Sequence, residues 1–208
     1  MIKFGKKVTY RPLFISLFVG ILVGSIFGLN ISRTLGIQVG GILFILIMLG
    51  HYLFVLPIIF NYWESNNFFI RYNDIKPLHN RLLALLLPHH TPIKAISKKD
   101  IKRVSIIGLP QRSSSLTSEL ILSEEGGFMY NLFLMINEPV KVRLTMNDNS
   151  IVDLDISRDY VKKPEQTLAK LHIFLKEFSY NTLNIPTEVR EIIDAQIKED
   201  YDDFSKSP

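Results

Sequence analysis

His51 is the residue in this sequence whose type and setting most invite chemistry. It stands in an apolar run, Val39 to Phe60, that contains no Asp, Glu, Lys or Arg. An ionisable group inside a membrane is costly and by default marks a functional position. The bland alternative is a neutral ring hydrogen-bonded to Ser25 or to a backbone carbonyl. If two antiparallel helices flank it, His51 sits mid-span, level with Leu22 and near Gly20 and Gly24. His89 and His90 are adjacent, but no third ligand has supporting spacing, so His-His-Thr-Pro reads as a loop rather than a metal site. Asp153 and Asp155 share one strand face, which could hold a cation or simply meet solvent. Ser113, Ser114 and Ser115 form a polar turn with no nearby base. Lys94, Lys98, Lys99, Lys102 and Arg103 form the one dense basic cluster. Close to an anionic leaflet each such charge contributes on the order of 1 kcal/mol of attraction; a strand edge protected by Lys is the equally good ordinary meaning. There is no phosphate loop, nucleophile elbow, HExxH or dinucleotide turn, and there are no cysteines. The expectation is no catalytic residue, no metal and no cofactor.

The element that must position these residues is a hydrophobic hairpin over 12–60. Leu13–Leu29 and Val39–Phe60 are both long enough to cross a hydrocarbon core, which takes about 20 apolar residues. A signal peptide is disfavoured for the first run, because no small-residue cleavage site follows and a second span comes at once. Ser16, Gly20, Gly24 and Gly28 recur every four residues and form a smooth stripe. Small residues let helix backbones approach closely in lipid. The stripe either receives the second helix near Gly36, Gly40 and Gly41 or joins copies of the chain. Pro57 is expected to bend the end of the second helix. Tyr62 and Trp63 follow the second run where aromatic anchors of a membrane interface would lie.

Charge sets the orientation. Residues 1–60 hold five basic residues and no acid, residues 61–185 hold 16 basic and 13 acidic, and residues 186–208 hold 3 and 7, for a net +4. The pI near 9.2 and the mean hydropathy of +0.19 thus reflect mainly the hairpin and its flank. They do not indicate a nucleic-acid face. Lys3, Lys6, Lys7 and Arg11 before the hairpin, and Arg71, Lys76 and Arg81 after it, against Arg33 alone between the runs, place both termini in the cytoplasm.

After the hairpin, Phe68–Tyr72 reads as a strand and the Leu-rich 78–87 as a short helix against the domain or the bilayer surface. Strands are expected over Ile101–Leu109, Leu116–Ser123, Phe128–Ile136, Val140–Met146 and Ile151–Ile156, with turns at Glu124–Gly127 and Asn147–Ser150. Helices are expected over Pro164–Ser179, with Leu168, Leu171, His172, Leu175 and Phe178 at helical spacing, and over the acidic Thr187–Phe204.

The Phe68–Tyr72 strand, the SKKDI sequence at 97–101, the turns at 126–127 and 147–149, the DNSIVDLDI strand and the helix Leu168–Phe178, all behind a basic-flanked anchor, resemble bacterial two-transmembrane-helix proteins with a cytoplasmic pleckstrin-homology-like domain. The Leu-rich insert 78–87 and the acidic tail helix depart from that pattern. The resemblance implies an α+β fold, an antiparallel split β-barrel capped by a C-terminal amphipathic helix, in the bacterial cytoplasmic membrane. The divisions it implies are a basic N-terminus 1–11, a hairpin 12–60, a PH-like domain 61–180 and an acidic helix and tail 181–208. It also implies a scaffold or adaptor rather than an enzyme, with membrane lipids and a membrane-protein partner. A homo-oligomeric pore or transport-associated subunit, assembled through Gly20, Gly24 and Gly28, is the alternative.

Overall fold

The computed structural model describes residues 1–109 and 128–195. The chain divides into two compact units that interleave along the sequence. The first comprises 1–5, 62–72 and 95 onwards; the second comprises 6–61 and 73–94.

The first unit is built from two sheets and the helices that cover them. β1 (Ile2–Gly5) is only four residues long, too short for periodicity to reveal. It pairs antiparallel with β2 (Tyr62–Ser65), from Ile2 against Ser65 to Gly5 against Tyr62. β3 (Phe69–Asn73) and β4 (Ile93–Ser97) complete a four-stranded sheet in the order β1-β2-β3-β4. Gly5 ends β1 at a φ of +74°, a conformation that glycine adopts without a Cβ penalty. Its N–H donates to Asp159 Oδ2 at 2.7 Å. β5 (Ile101–Ile107), β6 (Lys141–Met146) and β7 (Ile151–Asp155) form a separate three-stranded antiparallel sheet. Asn149 takes φ +62° in the β6–β7 turn, where Asn tolerates a left-handed backbone.

Alternation along β6 and β7 does what the sequence suggests: Val142, Leu144 and Leu154 are buried. They meet Phe4, Trp63 and Ile70 of the other sheet, and Leu168, Leu171 and Phe174 of a covering helix, in one core. After the hairpin helices α1 (Arg11–Asn30) and α2 (Arg33–Ile59) and the short α3 (Leu78–Leu86), the described helices are α4 (Phe128–Asn137), α5 (Ser157–Lys162), α6 (Pro164–Leu175) and α7 (187–195). Val189 and Ile193 of α7 are buried in the same core. This is an α+β unit with two antiparallel sheets. The two sheets do not join into a closed barrel among the described residues.

The second unit consists of two excursions from the four-stranded sheet. One leaves after β1 and returns at β2; it is the helical hairpin. The other leaves after β3 and returns at β4, and carries α3. Because β1 and β2 pair side by side, both ends of the hairpin emerge together, so a hairpin that crosses a membrane crosses it twice. α1 and α2 are both long and apolar enough to do so.

Several expectations need correction. The connection between the helices is not Asn30–Gln38 but the pair Ile31–Ser32. The Ser32 hydroxyl accepts from Leu35 N–H at 3.3 Å and caps a helix that starts at Arg33. Residues Ile2–Gly5 form a sheet strand, and 74–92, the connection between β3 and β4, groups with the hairpin. Phe128–Ile136 is helix, not strand. The apparent Gly-Gly turn before it suggested a hairpin, but Leu and Met are strong helix formers, and Leu134 and Met135 are buried while Phe133 and Ile136 are exposed. The expected strand Leu116–Ser123, the turns on either side of it and Ser113–Ser115 lie outside the described residues, as does the end of the last helix.

Candidate functional site

The glycines of the hairpin face one another across a seam where backbone meets backbone. A Cβ built on Gly24 would lie 2.8 Å from the Gly36 carbonyl oxygen, and one on Gly20 would lie 2.8 Å from that of Gly40. Built on Gly36, it would lie 2.5 Å from Gly24 O and 2.6 Å from Gly28 Cα. No side chain fits there. Ser16 continues the stripe, buried, with its hydroxyl donating to Pro12 O at 2.8 Å. The small residues are therefore engaged within one chain. Gly41 differs, since nothing lies within 4 Å of its Cβ position. It lines an open groove of ≈ 600 Å³ beside the seam, with Leu17, Ile21, Ser25, Ile37 and Phe44 as walls.

The same contacts fix the height of His51. Gly20 meets Gly40 and Phe44, so each step along α2 from there runs one step back along α1. His51 thus comes level with the Arg11 end of α1, not with Leu22. It lies in a π-helical stretch, Leu46–Tyr52, is exposed, and meets the Tyr52 ring edge-on at 5.0 Å. Ser25 is far along the seam from it. Pro57 stays inside α2.

Tyr62 and Trp63 are not membrane anchors. Both are strand residues of β2, and Trp63 is 1% exposed. Its indole stacks on Phe4 with centroids 4.3 Å apart, meets Phe174 edge-on at 5.2 Å, and donates from Nε1 to Asp155 O at 3.2 Å. The Tyr62 hydroxyl donates to the Glu64 carboxylate; burial first, and then Glu64, push its pKa up.

Three of the five cations expected to act together have separate partners. Lys94 Nζ pairs with Asp74 at 2.7 Å. Lys102 donates to Asn149 Oδ1 at 3.1 Å. The Lys98 side chain is 9% exposed and its ammonium lies 2.5 Å from Glu177 Oε2, which also accepts from Ser65 Oγ at 2.9 Å. This group ties β2 and the β4–β5 connection to the end of α6. Lys99 and Arg103 are exposed. Removing Glu177 alone would leave Lys98 charged without its partner, and a partly buried pair broken on one side is more costly than a pair removed together. Glu177→Leu is therefore expected to lower stability by about 2–3 kcal/mol, and Lys98→Met with Glu177→Leu to recover most of it, in a chemical unfolding titration. Equal losses in both variants would show that the pair is not coupled.

The acids of β7 are structural. Asp153 makes a two-pronged pair with Arg143 at 2.8 and 3.0 Å. Asp155 accepts from Ser157 N–H at 2.8 Å, and burial raises its pKa. His89 meets the Tyr10 ring edge-on at 5.4 Å. Among the described residues, no group of His, Asp and Glu is arranged to hold a metal.

A further cleft lies in the first unit. It measures ≈ 320 Å³ and lies between α6 and α7, with Leu175, Leu183 and Ile193 as floor and Lys176 and Arg190 at the rim. Arg190 sits 4.8 Å over the Tyr180 ring. His172 Nε2 is 3.6 Å from Asp194 Oδ1. Burial lowers the His172 pKa, Lys176 adds to that, and Asp194 opposes it. Only the helical spacing of His172 hinted at this cleft, because its other wall comes from α7 and from Leu183, which bridges Val104 of β5.

No protein-family model, curated protein or solved structure matches this chain.

Proposed function

We propose that this chain is a non-enzymatic adaptor held in a bacterial cytoplasmic membrane by its hairpin, with both termini and the two-sheet unit in the cytoplasm. The double excursion carries the reading. The hairpin and the α3 segment both leave and return through one sheet, so four chain connections join that sheet to the second unit. Charge supports the orientation. The second unit holds seven Lys and Arg against one acid, Asp74, and only Arg33 lies at the far turn. Basic residues collect on the cytoplasmic side of membrane segments.

We read the four-strand and three-strand sheets followed by α6 as an open form of a PH-like split barrel. The order of elements and their common core support that reading. Its ligands would be a membrane-protein partner and lipid headgroups. The groove beside Gly41 is where a partner's membrane helix would pack, since small residues there allow close backbone approach. The same groove would serve a second copy of this chain, which is the oligomeric reading.

The test is crosslinking in native membranes followed by purification of the full chain in mild detergent. The expected result is one defined membrane complex that is lost when Gly41→Leu fills the groove. Recovery of the chain alone as a monomer would overturn the adaptor reading. Recovery as a homo-oligomer that Gly41→Leu dissociates would favour the second reading.

A further inference from the structure

We infer that α3 is an interfacial helix whose leucine face lies in the cytoplasmic leaflet of the bilayer that the hairpin crosses. The inference rests on the reading of the hairpin as membrane-spanning and adds a second lipid contact to it. α3 is amphipathic in an unusual sense. Its inner face, Asn80, Ala84 and Leu85, is buried. Its outer face is apolar too: Leu78, Leu82, Leu83, Leu86 and Leu87 are between 37% and 64% exposed. Five outward leucines in ten residues make no sense in water, where a patch of this kind marks a binding surface.

The position of α3 says what covers that face. Ala84 and Leu85, with Ile75, pack on Leu56 and Phe60 at the end of α2. α1 has 20 residues and α2 has 27. At about 1.5 Å per residue they extend about 30 and 40 Å, while the hydrocarbon core is about 30 Å thick. The excess of α2 is its last two turns, beyond the Arg11 end of α1, and α3 is docked against those turns. It is therefore set at the depth of the headgroups, and Phe54 in the same last turns of α2 is also exposed. Polar groups complete the pattern. Lys76 is exposed before the helix, and Arg81 donates to the carbonyls of Ile75 and Lys76 at 3.0 Å each, which keeps its charge beside the helix start. Basic residues flanking an apolar helix face suit an anionic leaflet.

The chain has no cysteine, so single cysteines can carry a spin label without background. The full chain is reconstituted in vesicles of phosphatidylethanolamine and phosphatidylglycerol, labelled at Leu82→Cys, Leu86→Cys, Leu22→Cys or Glu165→Cys. Collisions with oxygen, which favours lipid, are compared with collisions with a water-soluble nickel chelate. The expected result is an oxygen-to-nickel ratio at Leu82 and Leu86 several-fold above that at Glu165, and below that at the deeper Leu22. Labels at Leu82 and Leu86 that match Glu165, while Leu22 stays lipid-exposed, would overturn the inference and leave the hairpin reading standing. Labels shielded from both reagents would overturn it in favour of a protein cover. A Leu22 label that itself matches Glu165 would overturn the membrane reading and this inference with it.

Discussion

Gly36→Leu is expected to open the hairpin and cost about 3 kcal/mol or more, because even its first side-chain carbon has nowhere to go. That carbon would meet Gly24 O at 2.5 Å, Gly28 Cα at 2.6 Å and Gly28 N at 2.7 Å. All three are backbone atoms of an intact helix, so no rotamer change relieves the overlap and the two helices must separate. Separation forfeits the dispersion contacts that hold helices together in lipid, where no hydrophobic driving force replaces them. Gly41→Leu is the matched comparison: same substitution, same helix, but open space at its Cβ position. It is expected to change stability by less than about 0.5 kcal/mol. Equilibrium unfolding with SDS in mixed micelles measures both. A wild-type midpoint for Gly36→Leu would mean that the seam does not exist. The pair also separates the two uses of small residues. Gly36 tests the fold of one chain, and Gly41 tests what the chain meets.

The elements legible in the sequence are those whose signal is local. The β6–β7 hairpin was visible because Val142, Leu144 and Leu154 alternate with polar residues around a turn rich in Asn and Asp, and α6 because Leu168, Leu171 and Leu175 repeat at helical spacing. The glycine stripe was legible as a packing surface, but not its partner, since four-residue spacing is the same whether the facing helix is in the chain or outside it. What stayed hidden depends on pairing over long separations. β1 is four residues whose meaning comes from β2, on the other side of the whole hairpin. His51 was placed mid-span because the turn between the helices was assumed to be long; a two-residue turn shifts the register and brings His51 level with the Arg11 end of α1. The lysine cluster was dense in sequence, but Lys94, Lys98 and Lys102 turn to separate partners, Asp74, Glu177 and Asn149. The cleft beside His172 needed α7 to fold back, which periodicity in α6 cannot announce.

The other large effect is expected at Trp63, where the position after an apolar helix suggested a membrane anchor and the structure shows a core residue. The two roles predict opposite behaviour. An anchor at the interface contributes little to the stability of the sheets, and its fluorescence is quenched by brominated lipid. A tryptophan stacked on Phe4, edge-on to Phe174 and 1% exposed is shielded from lipid and holds three elements together. Trp63→Ala is expected to lower the stability of the two-sheet unit by about 3–5 kcal/mol, the usual cost of truncating a buried aromatic. Trp63→Phe keeps the stacking but loses the hydrogen bond to Asp155 O, and its loss should be about 1–2 kcal/mol. Because Trp63 is the one tryptophan in the chain, its emission in vesicles is a direct reading of its surroundings. Emission unaffected by bromolipid, with a large loss of stability on truncation to alanine, is the expected combination; strong quenching with little loss would return Trp63 to the interface. The outcome bears on more than one side chain. β1 precedes the hairpin and β2 follows it, and Phe4 and Trp63 are the stacked pair that joins them. A stable stack there joins the two strands that precede and follow the hairpin in the chain.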